Sequence, residues 1–285
     1  LYFLIGSSVG NVALDYLFVA VFHFGVSGVG WATFLAQGIA GILAVITLLR
    51  RVAKLPTGHG KVMLYSKSML RRIAKIAVPS ILQQSFVSVG NIFIQSLVNS
   101  FGSAVIAGYS AAIKLNTFTI TSFSTLGNAL SSFSAQNIGA AKIDRVRKGF
   151  RAGTMLAWII AVPFFVLFFF FGNEMLRIFM ENPTGGAMKA GMAFLKIVSP
   201  FYFIISLKLL ADGLLRGSSA MIGFMVSTFT DLILRVILAY VFAGLFGSTG
   251  IWMSWPVGWS ISAIISLLFY RYTWKQLSVE RRLLK

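Results

Sequence analysis

Residues 25–51 read GVSGVGWATFLAQGIAGILAVITLLRR, and this stretch decides the class of the 285-residue protein. The 25 residues before the two arginines contain no charged side chain. A helix of about 20 apolar residues crosses the roughly 30 Å hydrocarbon core of a bilayer, and arginines concentrate at the cytoplasmic ends of such helices. The stretch therefore predicts a transmembrane helix that ends at a basic, cytoplasmic segment.

The remainder of the chain has the same character. Hydrophobic residues make up 57% of it and charged residues 11%, against about 25% charged residues in soluble domains, and the mean hydropathy is +0.84. Strands of a membrane barrel would be about ten residues long with alternating hydrophobicity. The continuous apolar spans instead predict an all-α integral membrane protein with eight transmembrane helices, near residues 1–24, 27–49, 76–100, 104–138, 152–172, 190–213, 219–244 and 250–271.

The basic residues lie in alternate connections. Lysine and arginine number 25 and acidic residues seven, which gives a net charge of +18. The clusters follow the second span, the fourth span and the last span: Arg50, Arg51, Lys54, Lys61, Lys67, Arg71, Arg72 and Lys75; Lys142, Arg145, Arg147, Lys148 and Arg151; Arg271, Lys275, Arg281, Arg282 and Lys285. By the positive-inside rule these loops and the C-terminus are predicted to be cytoplasmic in a multi-pass protein of the plasma membrane. The surplus of basic residues therefore indicates the topology and contact with membrane lipids, and it does not indicate binding of nucleic acid.

The chain also contains an internal repeat. Residues 25–31 (GVSGVGW) and 244–252 (GLFGSTGIW) both lead into apolar helices that end in arginine, about 220 residues apart. Two copies with the same orientation predict a six-helix lobe as the repeat unit. Residues 1–50 are then the last two helices of an amino-terminal lobe, 51–75 a basic cytoplasmic loop, 76–272 a six-helix carboxy-terminal lobe and 273–285 a basic cytoplasmic tail. Because Leu1 begins within a helix of the first lobe, we expect part of a twelve-helix, two-lobe transporter, whose missing amino-terminal helices are a partner.

Two polar stripes run along the third and fourth spans. Their spacing of three or four residues places each stripe on one helical face, and the members are Gln84, Ser88, Asn91 and Gln95, then Thr117, Thr121 and Asn128. Such side chains at membrane depth form hydrogen bonds to neighbouring helices or line a water-filled cavity. Both interpretations stand, and the second predicts a neutral, hydrogen-bonding cavity for a small organic substrate.

Acidic residues inside the spans are of two kinds. Two of them have a basic residue one turn later or earlier, which predicts the structural ion pairs Lys208–Asp212 and Asp231–Arg235. Asp15 has no basic neighbour, and Asn11 lies one turn before it. A buried carboxylate of this kind can bind a proton or sodium and couple an ion gradient to a conformational change. The alternative is a carboxylate that caps a helix or joins two helices by a hydrogen bond.

Four short motifs resemble the multidrug and toxic compound extrusion (MATE) transporters of the polysaccharide and lipid flippase superfamily. They are residues 78–85 (VPSILQQS), 135–140 (AQNIGA), 144–146 (DRV) and 215–217 (LRG), in this order. The resemblance covers the whole chain. It implies a fold of twelve helices in two lobes that face a central cavity, of which this chain is helices five to twelve of a prokaryotic member.

The resemblance also implies a cation site in the amino-terminal lobe. Asn11, Asp15 and Thr33 match the family's Asn, Asp and Thr of helices five and six, and a further family Asp would precede this chain. Some sodium-coupled members instead hold acids in helices seven and ten. Here residues 79–99 contain no acid and Asp212 lies near the cytoplasmic end, which argues against that second site.

These patterns predict a secondary active transporter that exports amphipathic, cationic organic solutes and drugs. Transport would proceed by alternating access in exchange for protons or sodium, with no other cofactor and no metal. The alternatives are a flippase for lipid-linked oligosaccharides, which would require a cationic groove, and a truncated transporter without activity. An enzyme is not expected, because the chain has no cysteine and its two histidines, His23 and His59, are isolated.

Overall fold

The computed structural model describes residues 2–54, 65–180 and 184–283, with the side chains of residue 2 and residues 277–283 left aside. His59, Lys61 and Lys285 of the sequence predictions lie outside the described residues, as do the side chains of Arg281 and Arg282. Within these ranges every regular element of secondary structure is a helix. The α-helices are α1 Tyr2–Tyr16, α2 Gly25–Ala53, α3 Lys67–Asn99, α4 Ser103–Gly139, α5 Ile143–Phe170, α6 Gly172–Arg177, α7 Gly185–Val198, α8 Tyr202–Gly217, α9 Met221–Phe246 and α10 Ser248–Leu283.

The predicted all-α membrane class is confirmed. Seven helical segments are long and apolar enough to cross a membrane: α1 with the π-helical turn Leu17–Val21, α2, α3, α5, the continuous segment of α7 and α8, α9 and α10. The remaining predicted span is present as α4, a helix of 37 residues. Its many serine, threonine and asparagine side chains make it more polar than the other spans, so α4 is not among the seven.

Several helices extend beyond the predicted spans. Helix α3 begins at Lys67, α5 begins at Ile143 and α10 continues to Leu283, so basic segments that flank the apolar spans are helical too. Lysine and arginine are good helix formers, and a hydropathy pattern detects only the part of a helix that is apolar. The prediction therefore located the helices and misplaced their ends.

The described residues form two compact units, divided between Ser66 and Lys67. In the first unit α1 pairs with α2, whose buried face consists of the small residues Gly28, Ala32 and Ala36. Small side chains allow two membrane helices to approach closely. The Ser7 hydroxyl on α1 donates a hydrogen bond to the Ala36 carbonyl on α2, at 3.2 Å, which fixes this pairing.

The second unit, α3 to α10, has a core of aromatic and small residues. Trp252 of α10 stacks on Tyr109 of α4, with ring centres 5.0 Å apart, and both side chains are buried. Helices α4 and α8 cross in close contact where Gly127 faces Gly213, because a side-chain carbon on Gly213 would collide with the Gly127 backbone. This crossing fixes α4, which carries one of the two polar stripes.

Candidate functional site

The first candidate site lies within the α1–α2 pair. The Asn11 amide on α1 donates a hydrogen bond to the Thr33 hydroxyl on α2, with an Nδ2–Oγ1 distance of 3.2 Å. Asp15 lies one turn further along α1 and is half-buried. Its Oδ1 is shielded from solvent and has no hydrogen-bond partner among residues 2–54. The structure thus connects Asn11 to Thr33 by a hydrogen bond. It leaves Asp15 Oδ1, one turn further along α1, without a donor.

This arrangement has the chemistry of a small cation site. A buried carboxylate oxygen without a donor is costly, and binding a proton or a cation removes that cost. Amide, hydroxyl and carboxylate oxygens are also the ligands that hard cations prefer. Asn11 and Thr33 are already oriented by their mutual hydrogen bond, so the side chain that is free to respond to an ion is Asp15.

The second candidate site is a cavity of about 510 Å³ inside the second unit, enclosed by α3, α4, α8, α9 and α10. Its wall includes side chains from both polar stripes, namely Gln84, Asn91, Gln95, Thr117 and Thr121. Amide groups from α3 therefore face hydroxyl groups from α4 across one space. A wall of this kind can donate and accept hydrogen bonds without carrying charge.

Two members of the predicted stripes have other partners. The Ser88 hydroxyl donates to the Gln84 carbonyl one turn earlier, at 3.2 Å, which satisfies it within α3. The Asn128 side-chain oxygen accepts a hydrogen bond from Arg216 Nη2 at 2.9 Å. Neither residue is part of the cavity wall. Helical spacing places a residue on a face, but it does not show where along the helix the cavity ends.

The cavity is not neutral as predicted, because its wall also contains the charged residues Lys208, Asp231 and Arg235. Lys208 of α8 lines it and forms a salt bridge to Asp212, with an Nζ–Oδ2 distance of 2.9 Å. The Ser266 hydroxyl on α10 donates to the other Asp212 oxygen at 2.6 Å. Both charged side chains are almost completely buried. The charge of Lys208 is therefore balanced inside the protein.

The spacing of Asp231 and Arg235 predicts a second ion pair, but the structure does not contain it. In the part of the chain that the structure describes, no salt bridge joins these two side chains. The Arg235 guanidinium instead lies over the indole ring of Trp255 on α10, 4.5 Å from the ring centre. A side-chain carbon on Gly258 would approach Asp231 Oδ1 to 2.8 Å, so the acid is packed against α10. Tertiary contacts with α10 therefore separate the two charges that helical spacing brings together.

Sequence reasoning missed several residues of the wall. Asn116, 2% exposed, accepts a hydrogen bond from the Tyr202 hydroxyl at 3.2 Å and also lines the cavity. Trp255 and Trp259 supply aromatic surface from α10. Their spacing of four residues was a signal that both face one side of a helix, whereas Asn116 lies beside the stripe of α4 and has no such signal.

Comparison with known proteins finds a matching family model and relatives that are named for multidrug resistance or export. A family model described as MatE matches residues 79–241. The chain is 29% identical over 274 residues to the "Probable multidrug resistance protein YpnP" of Bacillus subtilis, which covers 94% of this chain and 60% of that protein. It is 22% identical over 280 residues to the "Multidrug export protein MepA" of Staphylococcus saprophyticus, with 98% of this chain and 61% of that protein covered.

Solved structures have the same fold. The Vibrio cholerae MATE transporter VcmN in its bent form matches with a TM-score of 0.83 and 18% identity, over 98% of this chain and 63% of that one. An outward-facing multidrug resistance MATE family transporter matches with a TM-score of 0.86 and 19% identity, over 97% of this chain and 62% of that one. This chain therefore spans about three fifths of the length of the relatives that it matches.

Proposed function

We propose a transport function for this chain, which belongs to the MatE family of multidrug efflux transporters. It exports amphipathic organic solutes across the cell membrane in exchange for protons or sodium ions. The solutes include organic cations. Export proceeds by alternating access, with the basic loops and the C-terminus in the cytoplasm. The relatives that it matches carry the names of resistance and export proteins, and this supports transport without a covalent step.

The observation that carries the proposal is the cavity of the second unit. Its volume of about 510 Å³ lies within the range of about 300–1,000 Å³ that is typical of sites for small organic molecules. Amide and hydroxyl groups line one side and Tyr109, Trp255 and Trp259 another. A solute with an apolar body and a few polar groups finds a partner for each part of its surface.

The charges on the wall support an organic solute over a polyanionic lipid-linked sugar. Lys208 is already paired with Asp212, and the wall's other cation, Arg235, is accompanied by the acid Asp231, so the wall carries no cationic surplus of the kind that such a substrate requires. Asp231 lines the same cavity and forms no salt bridge to any residue that the structure describes. An acidic side chain in this position can pair with the cationic group of a solute.

The candidate coupling site is the Asp15 cluster of the first unit. Asp15 supplies a carboxylate oxygen without a donor, while Asn11 and Thr33 supply oriented amide and hydroxyl groups. Protonation of the carboxylate, or its coordination of sodium, removes a buried charge and changes how α1 packs. Exchange of the ion for the solute would then be driven by the ion gradient.

An efflux assay tests the proposal. The gene that encodes the chain is expressed in bacteria that lack their own multidrug pumps, the cells are loaded with ethidium, and ethidium fluorescence is followed after energy is restored. We expect fluorescence to fall faster than in cells with an empty vector, and the difference to disappear with a protonophore or without sodium. Equal rates in both strains, with the protein present in the membrane, would exclude the proposed function for this chain.

A further inference from the structure

Arg235 is a buried cation that forms no salt bridge to any residue described by the structure. Its side chain lines the cavity of the second unit and is 6% exposed. Its Nε is shielded from solvent and has no hydrogen-bond acceptor in the described residues. Its guanidinium lies over the face of Trp255, 4.5 Å from the ring centre.

The stacking on Trp255 leaves the buried Nε of the guanidinium without a hydrogen-bond acceptor among the described residues. A guanidinium carries five N–H donors that point outward in the plane of the group, and it remains charged at any physiological pH. The face of an indole ring attracts the charge, but it accepts none of these in-plane hydrogen bonds. Because the group lines a cavity, oxygen acceptors from outside the protein can satisfy this buried cation.

The neighbouring charges do not supply these acceptors. Asp231 lies one turn earlier on α9, and its Oδ1 is packed against α10 at Gly258. The Asp212 carboxylate is occupied by Lys208 and by the Ser266 hydroxyl. Among the charged residues of the cavity wall, Lys208 therefore has a matched partner and Arg235 has none.

We propose that Arg235 is an anion subsite of the cavity, which binds the carboxylate of a transported aromatic solute. This inference rests on the proposed function and extends its substrates to organic acids and zwitterions. The flat guanidinium matches the two oxygens of a carboxylate in a bidentate contact. Trp255 fixes the plane of the guanidinium, and Tyr109 and Trp259 offer aromatic surface in the same wall for the ring of the solute.

Three probes of equal size test the subsite. The full chain is placed in nanodiscs of phosphatidylcholine, and binding of 2-naphthoate, 2-naphthalenemethanol and 2-naphthylmethylammonium is measured by equilibrium dialysis, with binding to empty nanodiscs subtracted. We expect the carboxylate to bind most tightly. The Arg235→Gln variant should lose about tenfold to a hundredfold in affinity for 2-naphthoate and leave the alcohol nearly unaffected, while Arg235→Lys should lose less. Arg177→Gln, which removes an exposed arginine of α6, is the matched control and should bind as the unchanged chain does.

The outcomes distinguish failure of the anion subsite from failure of the proposed transport function. Equal affinity of the unchanged chain for the acid and the alcohol, tighter binding of the amine, or no binding of any probe would overturn the subsite, whether or not the variants fold. So would a folded Arg235→Gln variant with full affinity for 2-naphthoate. Ethidium carries no carboxylate, so ethidium efflux by the unchanged chain tests the proposed function independently. Ethidium efflux without preferential binding of 2-naphthoate would contradict the anion subsite and leave the proposed transport function in place.

Discussion

Asp15 is the residue on which the proposed coupling to an ion gradient depends. Its carboxylate has a buried oxygen without a donor, next to the hydrogen-bonded pair of Asn11 and Thr33. Replacing Asp15 with Asn keeps the shape and removes the charge that a proton or sodium ion must neutralise. We expect Asp15→Asn to abolish gradient-driven ethidium efflux while the amount of protein in the membrane is unchanged. The control is Glu174→Gln, at an exposed acid of α6. Undiminished efflux by Asp15→Asn would contradict the assignment.

Asp212 illustrates a different use of a carboxylate, since it balances a buried lysine. Removing one partner of a buried ion pair leaves an uncompensated charge, which costs about 3–5 kcal/mol, whereas replacing both partners by apolar residues is often neutral. Asp212→Asn should therefore lower the thermal unfolding temperature of the purified chain clearly, and the double variant Lys208→Met with Asp212→Leu should recover much of the loss. Thermal unfolding followed by circular dichroism measures both. If the single variant unfolds at the unchanged temperature, the pair does not stabilise the fold.

The crossing of α4 and α8 is a contact between elements that is sensitive to a single carbon atom. A methyl group on Gly213 would collide with the backbone of Gly127, which has no side chain that could move aside. Overpacking typically costs about 1–3 kcal/mol. Gly213→Ala should therefore lower the unfolding temperature, whereas Gly139→Ala should not, because a methyl group on Gly139 meets no atom within 4 Å. Similar stability of the two variants would show that the crossing adapts.

The elements themselves were largely predictable, because each apolar span has the length of a membrane helix and the spans are separated by short connections. The helix ends were not, since Lys67 and Ile143 begin helices in segments that are too basic to register as apolar. The cavity was predicted in part. Gln84 and Thr121 follow from periodicity within one helix, whereas the separation of Arg235 from Asp231 depends on Trp255, a contact between helices that no spacing within α9 reports.

At the scale of the whole molecule, the placement of charge has two separate consequences. The cationic surplus of +18 lies mostly outside the apolar spans, where it specifies the direction of insertion. The buried charged residues among those that the structure describes lie at or beside the cavity: Lys208, Asp212, Asp231 and Arg235. Loop charge and cavity charge can therefore change independently of each other.

The orientation in the membrane can be tested directly because the chain contains no cysteine, so that one introduced thiol gives an unambiguous signal. Ser100 lies in the connection between α3 and α4, and Lys142 in the connection between α4 and α5; both are exposed. Since α4 separates them, the positive-inside rule places Ser100 outside the cell and Lys142 in the cytoplasm. A membrane-impermeant maleimide applied to intact cells should label Ser100→Cys and not Lys142→Cys, whereas permeabilised cells should show both labelled. Labelling of Lys142→Cys alone in intact cells would mean the opposite orientation, and equal labelling of both would mean that α4 does not cross the membrane.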